Sequence, residues 1–189
     1  MDSESRLTLP LKIVGVLVVI VAVGFGLWRL ASEPAPGSRN VASTPVSARS
    51  IHLAYPTDWR ALTLPTSVPG VASNAIIVLQ RRDKSGVLVV LPGGQAPPFD
   101  SSTSRRISLL LAKQYTDYKF ISADVVKLGS KETFFFSYLR TRQGDLHTIT
   151  IIPVGQKSFI IDTASPSASG KLGVEIGNIL KSAKVTSGM

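Results

Sequence analysis

The sequence predicts an α+β fold, an antiparallel sheet covered by helices, preceded by a single transmembrane helix. Three observations predict it. Ile13–Trp28 reads IVGVLVVIVAVGFGLW, without one charged or amide side chain. From Ser50 onward, short apolar and β-branched runs alternate with turns rich in Gly, Pro and Asp. Two segments, one opening near Ser102 and one near Leu172, carry apolar residues at helical spacing.

The apolar stretch comes first. At about 1.5 Å rise per residue its sixteen positions span roughly 24 Å, and Leu11, Leu30 and Ala31 extend it toward the roughly 30 Å of a bilayer core. Lys12 and Arg29 sit at its ends, where long basic side chains can snorkel to headgroups, and Trp28 suits the interface. Cleavage after Ala31 would place Arg29 where a secretory signal needs a small residue. The absence of cysteine removes a lipoprotein signal too. The expectation is an uncleaved anchor over residues 11–31, behind a tail over residues 1–10. The flanking basic residues tie, Arg6 and Lys12 against Arg29 and Arg39. The short tail then makes an N-inside signal-anchor the default, with the remainder exported. The expected location is a bacterial inner membrane, crossed once, with a periplasmic soluble domain.

Residues 32–48 are rich in Pro, Ser and Ala and lack apolar periodicity, which predicts a linker. A soluble domain is expected over residues 49–186. It opens with a strand over Ser50–Tyr55, a turn at Pro56–Trp59 and a short strand over Ala61–Leu64. Ala75–Gln80 and Val87–Leu91 form a hairpin around the polar turn Arg81–Gly86. The Gly-Pro-rich segment Pro92–Asp100 reads as a loop. Ser101 and Ser102 are the N-cap candidates of a helix whose stripe is Ile107, Leu110, Leu111 and Tyr115. Strands over Tyr118–Leu128, Glu132–Arg142, Leu146–Val154 and Ser158–Thr163 follow, broken at short Gly-containing turns as in an antiparallel meander. The last helix places Leu172, Ile176, Ile179, Leu180 and Ala183 on one face.

Composition narrows the chemistry. The formal charge is +9, and from Arg49 onward 17 Lys and Arg stand against 9 Asp and Glu, so +8 belongs to the soluble part. That balance favours an anionic neighbour, and for a tethered domain the nearest are acidic lipid headgroups and acidic faces of membrane proteins. The cations are scattered, with Arg81-Arg82 and Arg105-Arg106 the only adjacent pairs, a pattern that argues against nucleic acid. With no cysteine in the chain, thiolate catalysis, disulfides and Cys-based zinc sites are excluded.

No catalytic, cofactor or metal site is predicted. His52 and His147, both in expected strands, have no carboxylate at ligand spacing. Pro92-Gly93-Gly94 lacks the Lys and the spacing of a phosphate loop, and no serine sits in a G-x-S-x-G setting. Phe134-Phe135-Phe136 followed by Tyr138 reads as a central strand buried on both faces, or as the wall of an apolar groove for a lipid or pigment tail. Tyr55 and Trp59 either plug one end of the sheet or offer an aromatic platform. The candidate docking residues are Arg81, Arg82 and Lys84 on the hairpin tip and Arg105 and Arg106 at the helix start.

Tyr55-Pro56-Thr57-Asp58-Trp59, the hairpin, the helix near Ser102, the long strands and the closing Ile179-Leu180-Lys181-Ser182-Ala183 together resemble the PsbP/DcrB-like superfamily over Arg49–Val185. The resemblance implies an α/β/α sandwich around an antiparallel sheet and a non-enzymatic role. Members include lumenal accessory proteins of photosystem II, envelope lipoproteins and partners of other proteins. The N-terminal anchor departs from that pattern.

Two functions are expected from these readings. The first is a non-enzymatic, single-pass accessory subunit that stabilises or assembles a larger membrane protein complex. A photosynthetic complex is the specific expectation, with respiratory or envelope machinery next. Gly15, Gly24 and Gly26 would let its anchor approach other helices closely. The second is a membrane-tethered periplasmic module that binds an apolar or anionic ligand.

Overall fold

The computed structural model describes residues 43–186, apart from 67, 69, 70 and 168. The expected tail, anchor and most of the linker lie outside the described residues. Among those described, no helix is long and apolar enough to cross a membrane.

The described residues form ten strands and two helices, in order: β1 (Ser43–Ala48), β2 (Ile51–Pro56), β3 (Trp59–Ala61), β4 (Ile77–Arg81), β5 (Val87–Gln95), α1 (Ser101–Gln114), β6 (Tyr118–Leu128), β7 (Lys131–Arg140), β8 (Asp145–Val154), β9 (Lys157–Pro166), α2 (Gly170–Lys181) and β10 (Lys184–Val185). Seven strands make one antiparallel sheet in the order β3-β4-β5-β9-β8-β7-β6, and β1-β2-β10 make a second, smaller one. The meander β6–β9 therefore enters backwards, its last strand pairing with β5. β5 and β6 point the same way four strand spacings apart, about 19 Å. The chain must return along the sheet between them, and α1 makes that return.

Strand alternation sends successive side chains to opposite faces, so neighbours Ile151 and Ile152 enter different cores. On one face Leu79, Leu88, Ile152, Phe159 and Ile161 meet Ile51 and Leu53 of β2 and the predicted stripe of α2, Leu172, Ile176, Ile179 and Leu180. On the other, Phe134, Phe136, Tyr138 and Ile151 meet Leu111 of α1, with Ile107 and Tyr115 partly buried beside them. The two helices thus cover opposite faces, and each face of the sheet has its own core. The Phe134–Tyr138 face is covered by α1 apart from a shallow cleft beside Phe134, and β7 lies next to the sheet edge rather than at its centre.

Four local expectations change. Ser43–Ala48, expected as the end of the linker, is strand β1, because it pairs residue for residue with β2 and brings Val46 and Ala48 onto the core. Its Pro45 is tolerated because β1 is an edge strand. The strand expected over Ala61–Leu64 is shifted, running instead from Trp59 to Ala61. Pro92-Gly93-Gly94 continues β5 rather than forming a loop, with pairing irregular between Pro92 and Gln95. A Cβ at Gly93 would lie 2.8 Å from the Ser158 carbonyl oxygen, so β9 approaches there as only glycine permits. The N-cap of α1 is Asp100, not Ser101 or Ser102: its carboxylate accepts from the amides of Ser102 at 2.9 Å and Thr103 at 3.2 Å.

Candidate docking surfaces

The β4–β5 hairpin was expected to present three cations. Two of them, Arg82 and Lys84, are exposed, with Lys84 in the left-handed region at φ 62° and Arg82 Nε donating to the Thr57 carbonyl at 2.9 Å. Arg81 is consumed inside the fold. Its Nε donates at 3.0 Å to Oε2 of Glu175, a side chain on α2, and its guanidinium also meets Asp83, Ser85 and, at 3.8 Å, Asp58. The same Glu175 oxygen accepts from Trp59 Nε1 at 3.0 Å. The hydrogen bond to Glu175 holds the Arg81 pKa above its ordinary value. Trp59 is 1% exposed and Tyr55 packs against the same core, so the pair plugs the sheet end and Trp59 offers no face to a ligand. One node, Trp59–Glu175–Arg81, ties the hairpin to α2.

The second candidate lies on α1. Arg105 and Arg106 are exposed and make no ion pair among the described residues, and no acidic residue occurs in the helix. Leu110, expected in the buried stripe, is 64% exposed, as is Leu109. Three successive leucines at about 100° per residue cannot share one face. The rotation is chosen by Thr103, which is buried and donates to the Pro98 carbonyl at 2.6 Å, and it leaves Leu111 as the inward leucine. Under the N-terminal turn of α1 a shallow cleft of about 270 Å³ opens, lined by Phe99, Val125 and Phe134 and by the acids Asp100 and Asp124. β4 and β6 stand five strand spacings apart, about 24 Å, so hairpin and helix cations form two separate patches.

No protein-family model matches the chain, and no curated protein matches it in sequence. Solved structures do match. The cyanobacterial PsbP of Synechocystis, CyanoP, superposes with a TM-score of 0.57 at 11% identity, covering 82% of this chain and 98% of that one. The domain has a PsbP-like fold. LpqN of Mycobacterium tuberculosis, a protein involved in cell envelope biogenesis, is also similar, at 17% identity and a TM-score of 0.49, over 78% of this chain and 92% of that one.

Within the PsbP-like domain the two histidines are kept apart in different sheets. His52 shares a 2.7 Å hydrogen bond with Ser47 Oγ on the neighbouring strand β1. His147 on β8 stacks on Tyr138 with centroids 4.8 Å apart and lies 3.9 Å from Asp162 on β9. Burial pushes the Tyr138 hydroxyl well above its ordinary pKa. Among the described residues no group of three His, Cys, Asp or Glu side chains could hold a metal.

The residues that sequence reasoning missed are the acids that organise these cations. Glu175 was visible only as one half of an i,i+4 pair with Lys171, and nothing in the sequence links it to Trp59 or Arg81. Asp117, in the turn before β6, is likewise unmarked, yet Arg140 Nε donates to it at 2.7 Å and the Arg142 amide at 3.2 Å. The Arg140 guanidinium lies over the Tyr115 ring at 3.9 Å, so this node fastens the C-terminal end of α1 to β7. Burial pushes the Asp117 carboxyl up, but the hydrogen bonds from Arg140 and Arg142 outweigh it and hold it below the ordinary value of 3.8.

A carboxylate whose pKa is depressed by folding adds stability that is complete above its unfolded pKa and is lost as pH falls through the folded one. Asp117→Asn is therefore expected to melt below wild type at pH 7, with the gap closing as pH drops below about 3.8. Thermal melts across an acid series check this, and a gap that stays constant with pH would show that the charge of Asp117 is not what matters.

Proposed function

We propose that this protein is a non-enzymatic accessory subunit, anchored once in a bacterial inner membrane, whose PsbP-like domain stands on the exported side and helps stabilise or assemble a larger membrane protein complex. The observation that carries this reading is the fold, which accounts for 98% of the CyanoP chain. The resemblance read from Tyr55–Trp59 and the strand pattern supports it, because proteins of that superfamily work chiefly through what they touch. The apolar run Ile13–Trp28 supports the tether. The partner is an integral membrane complex; a photosynthetic one is the first to examine, and respiratory or envelope machinery the next. Nucleic acid is not a partner in this reading.

Extraction of membranes in a mild detergent, native electrophoresis and mass spectrometry of what co-migrates form the test. The expected result is migration far above the 20.2 kDa of the chain. Reversing Arg82 and Lys84 together should lower recovery of the partner severalfold at low salt and less at high salt. Recovery of the chain alone, carrying a small molecule, would overturn the subunit reading in favour of a tethered ligand-binding module.

A further inference from the structure

Resting on the tether in the reading above, we infer that the outer face of α1 is a second membrane contact, which lays the PsbP-like domain onto a bilayer rich in anionic lipid. At about 100° per residue, Arg105, Leu109, Lys113, Arg106 and Leu110 fall within an arc of about 140°, and the inward Thr103, Ile107 and Leu111 occupy the adjoining arc, which begins about 20° beyond Leu110. All five are exposed. Among the described residues none of the three cations makes an ion pair, and Asp100, whose charge acts on Arg106, is occupied in capping the helix.

Leu109 left in water between cations, and Leu110 at the edge of the same arc, are unfavourable for a helix that faces only solvent. They suit an interface where the aliphatic tips enter the acyl boundary and the long basic stems reach phosphates. Charge complementarity thus selects an anionic surface, and the leucines select one with an apolar interior beneath it. Chain length agrees. The fourteen residues between Trp28 and Ser43 reach at most about 50 Å, so a domain tethered by Ile13–Trp28 never leaves the neighbourhood of the bilayer. Under that confinement a contact too weak to recruit a free protein is enough to orient a tethered one.

The chain has no cysteine, so one introduced residue labels one position. Ala112→Cys places an environment-sensitive probe beside the face, and Asn178→Cys places it on the exposed side of α2 over the opposite face of the sheet. The full chain is reconstituted in nanodiscs of phosphatidylcholine, with or without one-third phosphatidylglycerol. The expected result is a blue-shifted probe at position 112, quenched severalfold by doxyl-labelled lipid only when phosphatidylglycerol is present, relieved by high salt, and unquenched at position 178. Combined Arg105→Glu, Arg106→Glu and Lys113→Glu should return the signal to the phosphatidylcholine level. The corresponding Gln substitutions give the same answer if the Glu variant folds poorly, with circular dichroism melts as the check. No quenching at 112, equal quenching in both lipids, equal quenching at 112 and 178, or quenching that survives removal of the charges overturns the inference. Purified chain and lipid suffice, so these outcomes are independent of whether a partner complex co-migrates.

Discussion

Replacing Trp59 by alanine is expected to destabilise the PsbP-like domain by about 3–5 kcal/mol, the range for emptying a large aromatic site in a packed core. The indole is 1% exposed and belongs to the core shared by β2, β4, β5, β9 and α2. A Cβ at Gly86 would come within 3.1 Å of both its far edge and Leu172, so the ring is already held against the hairpin backbone and α2 without spare room. Its Nε1 also supplies one of the two hydrogen bonds on Glu175 Oε2. Trp59→Phe separates the two contributions. It keeps most of the apolar volume and should cost about 1–3 kcal/mol, the range for a polar partner left unmatched. Urea unfolding followed by circular dichroism measures both, with a lower midpoint at unchanged slope as the expected form. A Trp59→Ala protein as stable as wild type would mean that the indole is not what joins the hairpin to the core.

Arg81→Glu is expected to cost about 3 kcal/mol or more, as when one member of a largely enclosed ion pair is removed. The new carboxylate would face Glu175, Asp83 and Asp58, three acids with which Arg81 now pairs. Arg82→Glu, one residue away and exposed, should stay within about 0.5 kcal/mol of wild type. The contrast bears on any partner assay. A joint reversal of Arg81 and Arg82 would lose binding through lost fold, whereas Arg82, held by one hydrogen bond to the Thr57 carbonyl, and Lys84 report chiefly on the surface. Because Trp59 and Arg81 meet on one Glu175 oxygen, their effects should fall short of additive in a double-mutant cycle, and strict additivity would refute the node.

Much of this architecture was legible. The meander β6–β9 begins and ends within a few residues of where its Gly-containing turns place it, because a turn and two half-buried strands are local events. The α2 stripe is buried as read, since apolar spacing near 3.6 leaves a helix one face to bury. α1 shows where that logic stops. Leu109, Leu110 and Leu111 satisfy helical spacing in more than one rotation, and the hydrogen bond of Thr103 to Pro98, set by how the crossing segment meets the sheet, makes the choice. β1 is the same kind of failure. Its Pro, Ser and Ala composition reads as linker, and it becomes a strand because β2 offers it a ladder.

By itself the sequence determined the alternation of strands, the two helices, the apolar run near the N-terminus and the excess of positive charge. Those are properties of neighbours along the chain, where propensity and periodicity act. Which charges face out was decided only by tertiary structure. Arg81 and Arg82 are adjacent in the sequence, yet Arg81 ends β4 and meets Glu175, 94 residues away, as a structural tie, whereas Arg82 enters the turn and stays on the surface. Ion pairing and burial depend on distances in space, and the chain encodes those only through the way the sheet closes β5 onto β9 and lays a helix on each face.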